Sequence, residues 1–367
     1  MLLKNIKIIN HNKTIDNSDI EIKDGKIFKI TPKPGEGEKI IVPGFINTHV
    51  HGCMGDDAMD STEAIERISY NLIKFGTTTF LPTLMTGTKE EIIKAFKQAD
   101  KAVTKKTKIA GFHLEGPWIS MEKKGAHRPE CLHEPTIEEL KEFFVASGNK
   151  IKKITYAPEE CPKGFTKEMI KLGIMPTIGH TNGGFDIINK AIEEGGHTCT
   201  HLWNAMSGVA NRNPGAAEAI IYNEKNMPEL IADGIHHDEA TLRFTIKTVG
   251  VDRIILVTDA IRPAGLPDGD SISGGIPITK KGLLITLKGT NTIAGSASTM
   301  HSQFVYLASL GYPLEDIVKM SSYNVAKNLG WDKEISQIKE GFIADLVIMK
   351  KEDYSITDVY VNGKKEF

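Results

Sequence analysis

Histidine and carboxylate side chains recur at the ends of short apolar, β-branched segments of this 367-residue sequence. The first segment ends in Thr48-His49-Val50-His51-Gly52, and both imidazoles can point into one site because residues two apart on a strand share a face. Later segments end in the same residue types, namely His113, Glu115, His180, His201 and Asp259. Imidazole and carboxylate ligands without a cysteine cluster suit Zn, Fe, Mn, Co or Ni. Such a cation lowers the pKa of bound water to about 7 and polarises a carbonyl, as hydrolysis of an amide or ester requires.

Each of these histidines, taken alone, has a simpler explanation as a hydrogen-bonded residue of a core or rim. The His49-x-His51 pair and the repetition at several strand ends favour a metal site over that explanation. His113 shares a strand face with Glu115 but lies one step deeper, so we expect it to support a ligand and not to be one. His197 lies at the start of its segment, away from the predicted site, and we expect a structural role for it.

These strand ends meet only if the segments are parallel strands of one sheet or barrel. Candidate strands lie at residues 45–50, 77–82, 109–114, 151–157, 174–178, 198–202, 230–232 and 254–257. Helix-like stretches between them include residues 62–74, 89–103, 136–146, 185–194 and 239–249. Strands that alternate with helices in this way predict a (β/α)8 TIM-like barrel, which carries its active site at the carboxyl ends of the strands. An open doubly wound sheet is the alternative, and periodicity alone does not distinguish the two.

Both ends of the chain are rich in short strands and turns. An Asp24-Gly25 turn joins two strand-like runs near the N-terminus, and Asn362-Gly363 forms a similar turn near the C-terminus. We therefore predict that residues 1–42 and 335–367 form one small β-sandwich domain, into which a barrel of residues 43–334 is inserted. Residues 263–290 are glycine-rich and break the alternation, so we predict a β-hairpin insertion after the eighth strand.

The composition argues against several other classes of protein. The 45 Lys and Arg residues nearly balance the 47 Asp and Glu residues, so no basic surplus indicates nucleic-acid binding. No apolar run approaches the roughly 18 residues that span a bilayer, and we expect no membrane association. The N-terminal residues alternate in character and lack a small-residue cleavage site, so they predict a strand and not a signal peptide. The four cysteines are scattered, which is typical of a cytoplasmic protein with reduced thiols.

Several longer strings resemble one known family. They run in order from residue 43 to residue 300 and are PGFINTHVHG, GTTTFLPT, FHLEGPW, KKGAHRPE, GHTN, THLWNAMSG, ADGIHHD, LVTDAIRPAG and AGSASTM. Together they resemble the amidohydrolase superfamily and, within it, the N-acetylglucosamine-6-phosphate deacetylases. The resemblance implies metal-dependent hydrolysis of the sugar's acetyl group, with glucosamine-6-phosphate and acetate as products. There are two alternatives. One is an enzyme of the same superfamily that acts on the galactosamine isomer or an N-acylated amino acid, and the other is a non-catalytic relative.

The resemblance also implies a metal site and a catalytic residue. Glu115, His180 and His201 correspond to the ligands of the metal that family members share. His49 and His51 correspond to the pair that holds a second ion in some members, with Glu115 as the bridge. We therefore expect one or two divalent ions per chain, with zinc as the first expectation and Fe, Mn, Co or Ni as the alternatives. Asp259 corresponds to the catalytic acid and base.

Further positions correspond to the family's substrate contacts. They are Ala126, His127, Asn204, Ala205, Arg212, Asp233, Gly234, Ile235, His236, Ile293, Ala294 and Gly295. The chain has two adjacent histidines where the family usually has one, and we assign the substrate contact to His236. Without the resemblance, Arg212 would be a surface residue of a polar loop. The resemblance further implies a homodimer, in which the partner subunit could supply phosphate contacts.

Overall fold

The chain forms a closed barrel of eight parallel strands, described here from a computed structural model that covers residues 1–367. The barrel strands are Phe45–Val50, Thr77–Met85, Phe112–Glu115, Ile151–Tyr156, Met175–Ile178, Thr198–Cys199, Met227–Leu230 and Ile255–Leu256. Each strand pairs with the next one along the chain, and a parallel bridge between Val50 and Ala260 joins the eighth to the first. The predicted barrel is thus confirmed, and the open sheet is excluded by that closing bridge.

Amphipathic helices surround the barrel and bury their apolar faces against it. They are Thr62–Leu72, Lys89–Ala99, Ile137–Ala146, Phe165–Lys171, Phe185–Glu193, Ala216–Tyr222, Glu239–Val249, Met300–Ser309, Leu314–Val318 and Asn324–Asn328. Polar caps fix several of their starts. The Thr88 hydroxyl accepts the backbone N–H of Glu91, whose carboxylate in turn accepts the Thr88 N–H. The Asp238 carboxylate accepts the backbone N–H of Thr241. None of the helices is both long and apolar enough to cross a bilayer.

The seventh strand lies earlier than the sequence pattern predicts. The prediction was 230–232, whereas the strand spans Met227–Leu230. A buried strand is recognised in a sequence by a continuous apolar run. Pro228 and Glu229 interrupt that run, so the pattern of hydrophobic residues does not indicate the start of this strand. Glu229 is nevertheless fully buried, and its negative charge is paired with the ammonium group of Lys153 inside the barrel.

Strands from both termini form a second sheet. These strands are Leu2–Ile9, Thr14–Lys23, Lys26–Pro32, Lys39–Pro43, Leu346–Lys350, Ile356–Val361 and Lys364–Lys365. They are hydrogen-bonded in one continuous order, and not as two separate packed sheets. The Ile27 N–H donates to Phe342 O at 2.9 Å and the Ala344 N–H donates to Gly25 O at 2.9 Å, so the sheet curls around a small core of its own. Asp24 and Gly25 both have positive φ (50° and 77°), as the tight hairpin turn there requires.

An antiparallel insertion follows the eighth barrel strand. Its strands are Gly269–Ser273, Ile276–Lys281 and Leu284–Leu287, one more than the single hairpin that we predicted. Two contacts tie the insertion to the loop after the first barrel strand. The Ser273 hydroxyl donates to Asp57 Oδ2 at 2.8 Å. Arg262, which precedes the insertion, donates both to Ile272 O of the insertion and to Asp60 at 2.7 Å. These contacts hold the insertion over the mouth of the barrel.

Candidate active site

Two groups of potential metal ligands lie at the carboxyl ends of the barrel strands. One group is formed by Glu115, His180 and His201, and the other by His49, His51, Glu115 and Asp259. All of these side chains are buried, and the ligand atoms within each group lie within 4.8 Å of one another. Glu115 belongs to both groups. The structure therefore brings together every residue that was predicted to bind metal, and it adds Asp259 to the second group.

The distances around Glu115 show how the two groups share it. Glu115 Oε1 lies 3.4 Å from His180 Nε2, 3.3 Å from His201 Nε2 and 3.4 Å from His49 Nε2. Its other oxygen, Oε2, lies 3.1 Å from His51 Nε2. Asp259 Oδ1 lies 3.2 Å from the Nε2 atoms of both His49 and His51. One carboxylate is thus shared by both groups of potential ligands.

Hydrogen bonds on the far side of the imidazole rings orient these ligands. His180 Nδ1 lies 2.9 Å from the backbone oxygen of Lys123, which can only accept, so the ring carries its proton there. His49 Nδ1 lies 3.2 Å from Glu229 Oε2. In a neutral ring, a proton on Nδ1 leaves a lone pair on Nε2, which is the atom that faces Glu115. Both rings are therefore preorganised to bind a cation through Nε2.

The donor set fits a divalent cation. A carboxylate oxygen and an unprotonated Nε2 atom both present lone pairs, so their close approach is favourable only with positive charge between them. Glu115 Oε1 is buried and has no hydrogen-bond partner. Burial lowers the pKa of His51, but hydrogen bonds and charge from Asp259 and Glu115 outweigh it and raise the pKa to about 9. The site therefore stabilises positive charge, and imidazole with carboxylate suits Zn and the neighbouring transition metals.

Three site residues have backbone angles that non-glycine residues seldom adopt. The φ angles of His180, His201 and Asp259 are 51°, 25° and 49°. Left-handed backbone costs of order 1–3 kcal/mol at a non-glycine residue and is concentrated at functional sites. This geometry turns each side chain from the end of its strand into the barrel mouth.

Asp259 is held in the ionised form. Burial raises the pKa of the carboxyl, but positive charge at His49 and hydrogen bonds from His49 and His51 lower it by a larger amount, so the pKa lies below its ordinary value. A cation bound between these side chains would supply the same positive charge with both rings neutral. The side chain lines the cavity next to Glu115. An ionised carboxylate in this position can accept a proton from a water molecule at the centre of the ligand groups.

His127 lies beside the ligand groups and is neutral. Its Nε2 atom lies 3.6 Å from Glu115 Oε2, and its Nδ1 atom lies 2.7 Å from the Thr86 hydroxyl. Burial is the main reason that the pKa of His127 falls to about 4, and the charge of His180 contributes. The Thr86 hydroxyl can also donate to the backbone oxygen of Glu115 at 3.1 Å; when it donates to His127 Nδ1 instead, the ring proton is on Nε2 and is available to the cavity.

A cavity of about 340 Å³ opens above the ligand groups. Most of the predicted substrate contacts line it, namely Ala126, His127, Asn204, Ala205, His236, Ile293, Ala294 and Gly295. Asp233 lies behind His236, with Oδ2 at 2.9 Å from His236 Nδ1. Burial lowers the pKa of His236, but the hydrogen bond and negative charge of Asp233 outweigh burial, so the pKa lies above its ordinary value. His236 can therefore present positive charge to the cavity.

Four of the predicted contacts do not line this cavity. Asp233, Gly234 and Ile235 form the turn that positions His236, and Ile235 is 37 % exposed. Arg212 is exposed at the surface, in the polar segment 211–214. Within its own chain, Arg212 therefore does not reach the site.

The cavity also has lining residues that the sequence did not indicate. They are Met85, Glu122, Lys123, Ile261, Ser273, Ile276, Ile278, Leu287 and Thr292. Several come from the insertion after the eighth strand, and no local signal shows that this insertion folds over the mouth. Lys123 is the first residue of the KKGAHRPE string and Glu122 directly precedes it, so both could have been found by extending the predicted contacts at Ala126 and His127 towards the N-terminus.

His113 lies beneath the site and is not a ligand. Its Nδ1 atom lies 3.1 Å from the Thr83 hydroxyl and its Nε2 atom lies 2.8 Å from the Thr155 hydroxyl. Both ring nitrogens are thus occupied. Burial lowers the pKa of His113 well below its ordinary value, so the ring is neutral and supports the site from below.

Known proteins resemble this chain along nearly its whole length. The model of the amidohydrolase family matches residues 40–365. The chain is 34 % identical to N-acetylglucosamine-6-phosphate deacetylase of Lysinibacillus sphaericus, over 95 % of this chain and 93 % of that protein. It is 26 % identical to N-acetylgalactosamine-6-phosphate deacetylase of Escherichia coli O157:H7, over 99 % of this chain and 98 % of that protein. A solved structure of a Mycobacterium smegmatis N-acetyl-D-glucosamine-6-phosphate deacetylase mutant, in complex with N-acetyl-D-glucosamine-6-phosphate, matches with a TM-score of 0.93 at 29 % identity, covering 100 % of this chain and 99 % of that one.

Proposed function

The chain belongs to the amidohydrolase family, and from this premise we propose that it hydrolyses the acetyl amide of N-acetylglucosamine-6-phosphate. The observation that carries the proposal is the shared carboxylate of Glu115, with imidazole and Asp259 ligand atoms around it at the floor of a cavity. That arrangement suits hydrolysis of an amide, and the relatives named above supply the sugar phosphate as substrate. The products are glucosamine-6-phosphate and acetate.

Glu115, His180 and His201 would hold one divalent cation, and His49 with His51 would hold a second one against Glu115. When bound, a cation at this position lowers the pKa of water and polarises the acetyl carbonyl. We expect zinc first, with Fe, Mn, Co or Ni as alternatives, because mixed imidazole and carboxylate ligands accept all of these metals. The reaction needs only the ion at the first group.

Asp259 moves the proton in this mechanism. It accepts a proton from the attacking water as the bond between the water oxygen and the acetyl carbon forms. It then returns that proton to the sugar nitrogen as the carbon–nitrogen bond breaks. The ionised state of Asp259 before the reaction makes it ready for the first of these steps.

His127 and the cavity wall orient the substrate. The Nε2–H of His127 is placed to donate to the acetyl oxygen as negative charge develops there, and such donors often supply the largest part of the rate enhancement. Asn204 and Ala294 line the cavity, and we propose that they contact the sugar hydroxyls. Apolar side chains of the insertion, among them Ile276 and Ile278, line the cavity, and we propose that they reduce the access of water to the bound substrate.

The sugar phosphate requires positive charge at the outer end of the cavity. Lys123 and His236 line the cavity and can provide it within one chain. Arg212 is exposed outside the cavity, so we propose that it acts across a homodimer and binds the phosphate in the partner's site. A planar guanidinium suits this role, since it can bind two phosphate oxygens with parallel hydrogen bonds.

We also propose a cytoplasmic location. The substrate is a charged sugar phosphate, which does not diffuse through a bilayer, and all four cysteines are free thiols. This part of the proposal predicts that the protein fractionates with soluble cytoplasmic enzymes.

The second candidate substrate is N-acetylgalactosamine-6-phosphate, because the chain is 26 % identical to the N-acetylgalactosamine-6-phosphate deacetylase of Escherichia coli O157:H7. The two sugars differ only in the orientation of one hydroxyl group. Acetate release from both phosphosugars, measured with the same metal-loaded enzyme, distinguishes them. We expect a higher kcat/KM for the gluco sugar, and a higher value for the galacto sugar would replace our proposal by this second candidate.

A further inference from the structure

A buried ion pair lies directly beneath the proposed metal site. Lys153 on the fourth barrel strand and Glu229 on the seventh are 1 % and 0 % exposed, and the Lys153 ammonium donates to Glu229 Oε1 across the barrel interior. The second oxygen, Glu229 Oε2, faces upwards and lies 3.2 Å from His49 Nδ1. Neither residue lines the cavity, so neither can touch the substrate.

We propose that Glu229, held in place by Lys153, positions His49 as a ligand of the second cation. The inference rests on the proposed function only in taking His49 and His51 as cation ligands. A carboxylate cannot donate when ionised, so the hydrogen bond requires the His49 proton on Nδ1. In the neutral ring that binds a cation, this proton position leaves the Nε2 lone pair directed at Asp259 Oδ1 and Glu115 Oε1, which lie 3.2 and 3.4 Å away.

Glu229 acts mainly on this one ligand. His180 takes its orientation from the backbone oxygen of Lys123, and the Nδ1 atom of His201 has no hydrogen-bond partner. The only contact of Glu229 with the first group is a longer one, 3.4 Å from the His201 backbone N–H to Glu229 Oε2. The inference therefore predicts that changes at Glu229 affect the second cation and spare the first.

Lys153 explains how a carboxylate can remain ionised at this depth. An unpaired buried charge is strongly unfavourable, whereas a buried pair is tolerated. Removing Glu229 alone would leave Lys153 unpaired and destabilise the fold, so a single substitution is a poor test. Replacing both charges by uncharged side chains of similar size is often neutral for stability.

Two double variants separate positioning from structure. K153M/E229L removes both charges and the hydrogen-bond acceptor, whereas K153M/E229Q removes both charges and retains an amide oxygen that can accept from His49 Nδ1. Each protein is stripped with a chelator, and Zn²⁺ binding is followed by titration calorimetry, with metal content per folded chain as a second readout. No sugar is present, so the result does not depend on the substrate assignment.

We expect K153M/E229L to bind the first Zn²⁺ as the wild type does and the second one 10–100-fold more weakly, as is typical when such a supporting carboxylate is lost. K153M/E229Q should recover most of the second-site affinity. Equal affinities for both ions in K153M/E229L and the wild type would overturn the inference, as would equal loss in the two variants. A wild-type chain that binds one Zn²⁺ would also overturn it, while leaving the deacetylase proposal, which needs one ion, intact.

Discussion

A single carboxylate oxygen of Glu115 lies within 3.4 Å of three imidazole nitrogens, so the two ligand groups depend on one residue. His201 completes the first group and His49 belongs only to the second. Substitution of His201 should therefore affect cation binding at the first group, and substitution of His49 should affect cation binding at the second.

His201→Ala should lose the essential cation and reduce activity to near background, because the first group retains only two of its ligands. His49→Ala should lose at most the second cation and retain measurable activity. Metal content by mass spectrometry and acetate release, measured on both variants, check this. The account of one essential ion is wrong if the two variants lose the same amount of metal and the same activity.

Asp259→Asn should preserve the fold and substrate binding while it abolishes turnover. Removal of a general acid or base typically costs 10²–10⁴-fold in rate, and a residue used in both proton transfers should reach the upper part of that range. Melting temperature, metal content and kcat are the measurements. A lower melting temperature would indicate a structural role and lost metal a ligand role, whereas more than about a tenth of the wild-type kcat would rule out the catalytic role.

The candidate ligands could be identified from the sequence because each one is a histidine or carboxylate at the end of an apolar segment. The rest of the site left no such local signal. The left-handed backbone of His180 and Asp259 depends on contacts made after folding. The buried position of Glu229 could not be predicted for a different reason. A charged residue next to an apolar run indicates a surface position, and the sequence does not show that Lys153 is its buried partner.

At the scale of elements, the insertion after the eighth strand forms part of the cavity wall. Arg262 fixes it by donating to Asp60, to Gly55 O at 2.9 Å and to Ile272 O. Its strands were predictable from alternation and glycine turns, but their position over the mouth was not. That position depends on pairings such as Ser273 with Asp57, between residues far apart in the sequence.

Arg262→Gln should loosen the insertion and raise KM about fivefold or more, because each lost hydrogen bond contributes about 1 kcal/mol. We expect kcat to change little, since the insertion supplies walls and no reacting group. Arg243→Gln is the matched control, because Arg243 pairs with Glu239 on an outer helix at 2.8 Å. Steady-state kinetics of both variants test this, and an unchanged KM in Arg262→Gln would show that the anchoring does not matter for binding.

At the scale of the whole molecule, the exposed position of Arg212 is the strongest reason to consider a dimer. A twofold axis would bring the same surface of each subunit against the other, so one residue can serve the opposite site. The resemblance to the deacetylases predicts a substrate contact for Arg212, but only the fold shows that Arg212 lies outside the cavity of its own chain.

Co-expression of Arg212→Ala and Asp259→Asn chains tests this arrangement. In a mixed dimer, the site with an intact Asp259 would receive its arginine from the other subunit, and activity should return to about a quarter of the wild-type value in a random mixture. Each variant alone should have little activity. If the mixture has no more activity than the separate variants, Arg212 does not act across subunits.

The most direct test of the proposed activity is the ratio of kcat/KM for acetate release from N-acetylglucosamine-6-phosphate and from N-acetylglucosamine, measured with metal-loaded enzyme. Loss of a buried charge-assisted contact costs on the order of 2–5 kcal/mol, so the ratio should exceed tenfold. Acetate should form in equal amount with glucosamine-6-phosphate, and a chelator should abolish the reaction until divalent metal is restored. Equal kcat/KM values for the two sugars, or no acetate from either, would contradict the assignment of this chain as a phosphosugar deacetylase.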